Sequence, residues 1–264
     1  MAFTRLNNLR VHWRETGRRD APAVIFINAL GTDCRLWDGL AGMLGGEWRI
    51  VLYDKRGHGL SEAPPGPYSI PGLAGDVLAL ADHLQLDRFA LAGLSIGGLI
   101  AQQVALAAPG RLSALVLSDT AGRIGTVEGW NARIAAVESV GLEDIADAVM
   151  QRWFAPSFLA GRTDELAGWR AMLCGTPAAG YAAACAALRD ADLTAQLGAI
   201  AAPTLVVAGD ADLSTPPDLA RATAARIPGA CFELITSCGH IPPAEQPAVL
   251  AALIGQHLRE HVHV

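Results

Sequence analysis

The chain of 264 residues predicts an α/β architecture, a mostly parallel twisted sheet with helices on both faces. Three observations carry that prediction. Short continuous apolar runs, the look of strands buried on both faces, recur along the chain. Segments with apolar residues at helical spacing lie between most of them, and such alternation means βα units. One run, in "FALAGLSIGGLIAQ" (Phe89–Gln102), breaks at a lone serine flanked by glycines and turns into a helical pattern at once.

Taken in order, "FTRLNNLRVHWRET" alternates in character around Asn7-Asn8 and reads as a β-hairpin. "AVIFIN" (Ala23–Asn28) and "WRIVLYD" (Trp48–Asp54) are the first two buried-strand runs. Leu73, Val77, Leu80 and Leu84 follow at helical spacing, with Ser69 as cap and Pro71 in the first turn. The runs Arg88–Gly93 and Leu112–Asp119 enclose a helix over Ile96–Ala108. The alternation then stops. From Ala121 to Leu197 there are only amphipathic patterns, at Trp130–Val140, Leu142–Phe154, Glu165–Leu173 and Ala178–Arg189. The sheet resumes with Thr204–Asp210, a helix over Leu219–Ile227, the run Cys231–Thr236 and a helix over Ala248–Arg259. The expected organisation is a core of residues 1–120 and 198–264, with an all-helical cap, 121–197, inserted after the sixth strand. An insertion leaving the carboxyl ends of parallel strands sits over the usual ligand crevice, which makes it a candidate lid.

Bulk composition narrows the functional classes. The chain is 52 % hydrophobic and 17 % charged, enough for a large core. Its formal charge is −6 and no basic block occurs, which speaks against nucleic acid as a partner. Nearly all the positive charge is arginine; Lys55 is the only lysine. The five cysteines are odd in number, irregular in spacing and free of CxxC, against a disulfide framework or zinc. No apolar stretch is long enough for a bilayer and the N-terminal stretch does not look like a secretory signal, so a cytoplasmic protein without a membrane partner is expected.

The serine between glycines has a physical reading. A strand that turns sharply into a helix at Ser95 strains the serine backbone and crowds its neighbours, so Gly93 and Gly97 occupy the flanking positions. The turn lifts the hydroxyl clear of the sheet and aims the first helical N–H groups at whatever it attacks. This is the G-x-S-x-G elbow of a nucleophile. A serine hydroxyl needs a base, and the base needs an orienting acid, in the chain order Ser, Asp or Glu, His. His240, in the turn-rich loop "SCGHIPPAEQP", is the candidate base. His257, His261 and His263 read as solvated tail residues, and His12 and His83 as surface or half-buried ones. Two acids lie at the end of the run Thr204–Asp210, Asp210 itself and Asp212 just past it; Asp212 is favoured by its place in the loop, and Asp210 suits turn N–H groups. An oxyanion needs two donors. The backbone of Ile96 is one, and Leu30, in "NALGTDCRLW", is the other by spacing.

In "YDKRGHGLSEAP", "GLSIGG", "DLSTP" and "GHIPPAEQP", in that order, the chain resembles the α/β-hydrolase superfamily along its whole length. More narrowly, "NALGTD" with Trp37, "GPYSI", "SDTAGRIGT" with Trp130, and "RWFAPSF" resemble the 3-oxoadipate enol-lactonases of aromatic breakdown. Asn28-Ala29, where many superfamily members carry His-Gly, fits the narrower family. The resemblance implies Ser95 as nucleophile, Asp212 as acid and His240 as base, with no metal and no cofactor. It implies a small lactone substrate with one carboxylate. Arg133, Arg152 and Arg123 are candidates to grip that carboxylate, and Trp130 and Trp153 to wall the pocket. A general carboxylesterase or a C–C bond hydrolase would use the same triad, and a non-catalytic ligand sensor could share the fold.

Overall fold

The computed structural model describes residues 2–262; His263 lies outside them. A hairpin opens the chain, β1 (Ala2–Leu6) and β2 (Leu9–Gly17). Its turn holds Asn7 at φ 49° and Asn8 at φ 63°, the left-handed pair that a tight two-residue turn requires and asparagine tolerates. Then come β3 (Ala23–Ile27), α1 (Asp38–Leu44), β4 (Arg49–Tyr53) and α2 (Ile70–His83). Ser69 caps α2, its hydroxyl accepting from the Gly72 N–H at 3.2 Å. Next are β5 (Phe89–Leu94), α3 (Ile96–Ala107) and β6 (Leu112–Ser118).

Five helices separate β6 from the following strand: α4 (Val127–Val140), α5 (Glu143–Trp153), α6 (Pro156–Gly161), α7 (Thr163–Cys174) and α8 (Ala178–Asp190). The chain closes with β7 (Thr204–Gly209), α9 (Pro217–Ala224), β8 (Cys231–Ile235), α10 (Pro242–Glu245) and α11 (Pro247–His261).

The eight strands form one sheet in the order β1-β2-β4-β3-β5-β6-β7-β8. β2 runs antiparallel to β1 and β4, and every later pair is parallel. β3, β5 and β7 are buried along their whole length, so both faces are covered. α2 packs on α3, and α1 on α11. β8 departs from the expectation of a strand buried on both faces. It is the sheet edge, and Cys231, Glu233 and Leu234 are exposed. Among the described residues no single helix is long and apolar enough to cross a membrane.

This topology positions the site. β3 lies between β4 and β5, so the chain order reverses between β3 and β5. The loops leaving the carboxyl ends of those two strands part to opposite sides and leave a crevice. Gly93, near the end of β5, sits beside Ile27 of β3 and Leu117 of β6. The turn at Ser95 therefore leaves the middle of the sheet, next to the loop that follows β3.

Candidate active site

Ser95 has φ 58° and ψ −120°, a left-handed backbone that a residue with a Cβ adopts only where its surroundings hold it. They do so tightly. Its N–H donates to the Ser118 carbonyl at 3.0 Å, and its carbonyl accepts from the Thr120 hydroxyl at 2.7 Å. A Cβ on Gly93 would come within 2.2 Å of the Gly97 carbonyl, and one on Gly97 within 2.3 Å of the Ile27 carbonyl. Both glycines are thus dictated by space. Ser95 stands at the N-cap position of α3 yet makes no capping bond with its side chain, so the hydroxyl is free for something else.

His240 lies in the loop after β8, and its N–H donates to the Trp153 carbonyl at 2.7 Å. Its Nδ1 donates to Asp212 Oδ2 at 2.8 Å. That leaves Nε2 to face the cavity that His240 and Ser95 both line. No hydrogen bond joins the two side chains directly; in ligand-free enzymes such contacts commonly tighten only when substrate arrives. Asp212 is almost completely buried. Its Oδ1 accepts from the N–H groups of Ser214 at 2.7 Å and Thr215 at 3.1 Å, and Oδ2 also accepts from the Thr215 hydroxyl at 2.6 Å. Burial alone would raise this carboxyl, but the facing imidazole and these hydrogen bonds outweigh it and hold it below the ordinary range. Asp210 is exposed and accepts from the Cys238 N–H, the turn-satisfying part.

A second acid went unseen in the sequence. Asp119, at the end of β6, is fully buried beside Asp212 and His240. It accepts from the Gly209 N–H at 2.9 Å and the Ser118 hydroxyl at 2.6 Å. Burial, and then the charge of Asp212, push its carboxyl well above the usual value. Two buried carboxyls this close disfavour each other's charge. Asp212, with more donors, is the one whose charged form is favoured.

Leu30 sits in the loop after β3 and Ile96 at the start of α3. Neither N–H has an acceptor among the described residues. Leu30 borders a cavity of about 240 Å³ that is lined by Ala29, Leu30, Ser95, His240 and residues of the segment between β6 and β7. Four of the five residues expected to contact substrate line it: Trp130, Arg133, Arg152 and Trp153. Arg133 reaches only the Tyr181 hydroxyl, at 3.4 Å, and Arg152 only the Leu213 carbonyl, at 2.8 Å. Neither has a carboxylate partner among the described residues. Arg123 lies away from the cavity, 3.6 Å from Asp192, an acid that answers its charge. Tyr181, Thr126 and Ser214 also line the wall; no local pattern singles them out, since they meet there only through tertiary packing.

Other histidines correct the sequence reading. His12 is buried and its Nδ1 lies 2.8 Å from Asp54. His257 is buried against the Pro203 carbonyl at 3.2 Å. Both lie on regular elements whose inner faces the sequence did not separate from the outer. Among the described residues two groups of donors stand close enough to hold a metal ion, His12–Cys34–Asp54 and Asp119–Asp212–His240. In each, the imidazole already engages a carboxylate. The Cys34 thiol is pushed up to about 12 by burial and by Asp54, a poor start for a thiolate ligand.

Comparison with known proteins shows the family of the chain. Residues 22–247 match the family described as the alpha/beta hydrolase fold, and the chain belongs to that family. It is 35 % identical over 240 residues to 3-oxoadipate enol-lactonase 2 of Acinetobacter baylyi, covering 91 % of this chain and 90 % of that one. With 3-oxoadipate enol-lactonase 1 of the same organism it shares 37 % over 232 residues, 88 % and 86 % of the two chains. The crystal structure of the enol-lactonase from Burkholderia xenovorans LB400 superposes with a TM-score of 0.96 at 35 % identity, over 98 % of this chain and 100 % of that one.

Proposed function

We propose that this α/β hydrolase opens 3-oxoadipate enol-lactone to 3-oxoadipate, a step of aromatic degradation through β-ketoadipate, with Ser95 as nucleophile. The observation that carries the reading is a small cavity lined by Ser95, His240 and two arginines that have no carboxylate partner among the described residues. The likeness to the two Acinetobacter enol-lactonases supports the same substrate.

Ser95 Oγ attacks the ring carbonyl and His240 Nε2 takes the hydroxyl proton. Asp212 holds the imidazole by its Nδ1–H and answers its positive charge. The oxyanion settles on the N–H groups of Leu30 and Ile96. The ring C–O bond then breaks, and His240 returns the proton to the departing enol oxygen. That oxygen stays tethered to the acyl chain, and the enol tautomerises to the ketone. Water, deprotonated by His240, releases the acyl group from Ser95. The substrate's free carboxylate meets Arg133 or Arg152, in a wall otherwise made of Trp130, Trp153, Val149 and Leu188.

Two measurements test this. In Ser95→Ala, kcat/KM for the lactone falls by about 10⁴-fold or more, labelling by a fluorophosphonate disappears and the melting temperature stays within a few degrees. Labelling that survives the substitution refutes the nucleophile. Replacing Arg133 or Arg152 by Met, one at a time, raises KM for the lactone about 10- to 100-fold at the arginine that holds the carboxylate, the worth of one charge-assisted hydrogen bond. A neutral enol ester is hardly affected. Equal losses on both substrates reject carboxylate recognition, and a wild type that prefers simple esters points instead to a general carboxylesterase.

A further inference from the structure

The single lysine of the chain is buried behind the active site. Lys55 follows β4 and is 1 % exposed. No carboxylate lies within ion-pair distance of it among the described residues. Burying an amine in this way is costly unless it makes a strong hydrogen bond. Lys55 makes one: its Nζ donates to the Ala29 carbonyl at 2.5 Å. That oxygen also accepts from the Thr32 hydroxyl at 3.0 Å and the Thr32 N–H at 3.3 Å. Three donors thus converge on one carbonyl of the loop after β3.

The Ala29 carbonyl and the Leu30 N–H belong to one planar trans peptide and point in opposite directions. Whatever fixes the carbonyl on the protein side fixes the N–H on the other. That other side is the cavity, which Ala29 and Leu30 line together with Ser95. A hydrogen bond accepted by a carbonyl also polarises its amide and strengthens the N–H as a donor. Resting on the enol-lactonase reading above, we infer that Lys55 is a positioning residue for catalysis: by holding the Ala29 carbonyl it aims and polarises the Leu30 N–H that receives the oxyanion. The rest of the loop agrees. The Asn28 side-chain amide donates to the Thr32 carbonyl, and Gly31 adopts φ 72°, so the peptide is clamped from both ends. Among the described residues Lys55 is the one donor to the Ala29 carbonyl that comes from outside the loop.

The test compares wild type with Lys55→Met, which keeps length and removes the donor, and Lys55→Gln, which returns a shorter one. Each is measured for kcat and KM on the lactone, for affinity toward an arylboronic acid that forms an anionic adduct on Ser95, and for affinity toward 3-oxoadipate. In Lys55→Met, kcat and boronate affinity fall together by about 10- to 100-fold, less than the loss of a whole oxyanion donor. KM and 3-oxoadipate affinity stay within about twofold, because neither the neutral ring carbonyl nor the delocalised carboxylate of the product carries the concentrated charge of a tetrahedral oxyanion. Lys55→Gln falls between. A folded variant that binds boronate as wild type does overturns the inference, as does a loss of boronate and 3-oxoadipate affinity in equal measure, the mark of a purely structural lysine. Should Lys55→Met fail to fold, the same comparison on Lys55→Gln decides. A wild type that takes up neither boronate nor fluorophosphonate refutes the Ser95 chemistry itself, a result separable from equal binding by wild type and variants.

Discussion

Two carboxyls stand at the base of His240, and their difference is the sharpest statement the molecule makes at the scale of single residues. Asp212 collects two backbone N–H groups, a hydroxyl and an imidazole. Asp119 has one N–H and one hydroxyl and is fully buried. The raised carboxyl of Asp119 has a sign for stability. The folded state holds a proton that the unfolded chain releases above the ordinary aspartate value, about 4. Asp119 therefore costs the fold stability as pH rises from there through its folded value. In Asp119→Asn that cost is absent. The urea midpoint of the variant, relative to wild type, climbs as pH rises from about 4 toward neutrality. A difference that stays constant across that range would show Asp119 ionised in the fold. The sequence offered no hint of this residue, because an aspartate that ends a strand looks the same whether its carboxyl points to solvent or to another acid.

At the scale of elements, what could be read in the sequence depended on how local the cause was. The parallel strands show as unbroken apolar runs since both faces are covered, and the elbow shows as glycines since Gly93 and Gly97 have no room for a Cβ. The short helices α1, α6 and α10 did not show, being too brief for a period to repeat. β8 was misread as doubly buried because its edge position is set by strand order, which no single run encodes. Least legible is how the cap meets the loop that carries His240. One carboxylate makes the joint. Glu245 of α10 accepts from the Gly239 N–H at 2.8 Å and the Ala155 N–H at 2.9 Å, tying the residue before the base to the end of α5. The Trp153 carbonyl adds a bond to the His240 N–H. In Glu245→Ala two half-buried N–H groups lose their acceptor, a cost of about 2 kcal/mol. kcat falls about tenfold as His240 loses its fixed orientation, and Glu245→Gln, which keeps an acceptor oxygen, restores part of both. A thermal and kinetic profile of the two variants checks this, and an Ala variant with wild-type kcat would show that the joint is not needed to place the imidazole.

For the molecule as a whole, the buried bases decide how the fold answers acid. His58, in the glycine turn after β4, is completely buried, and its Nδ1–H donates to the Arg56 carbonyl at 3.2 Å. Burial drives its pKa well below the ordinary histidine value, and burial lowers His257 in the same direction. Both bind a proton less readily in the fold than in the unfolded chain. Their contribution is complete above the unfolded histidine value, about 6.5, and is lost as pH falls below it, with a slope of about 1.4 kcal/mol per pH unit for each fully refused proton. The raised carboxyls of Asp119 and Glu245 work in the opposite sense, so the absolute curve mixes the two. The slope for one histidine is isolated by a pair of curves. His58→Gln keeps a donor for the Arg56 carbonyl and has nothing to protonate. Between about pH 6 and 5 its unfolding free energy falls less steeply than that of wild type, by close to one proton's worth. Urea titrations at several pH values measure both slopes. Parallel curves would mean that His58 accepts its proton inside the fold, which its burial beneath the β4 turn denies.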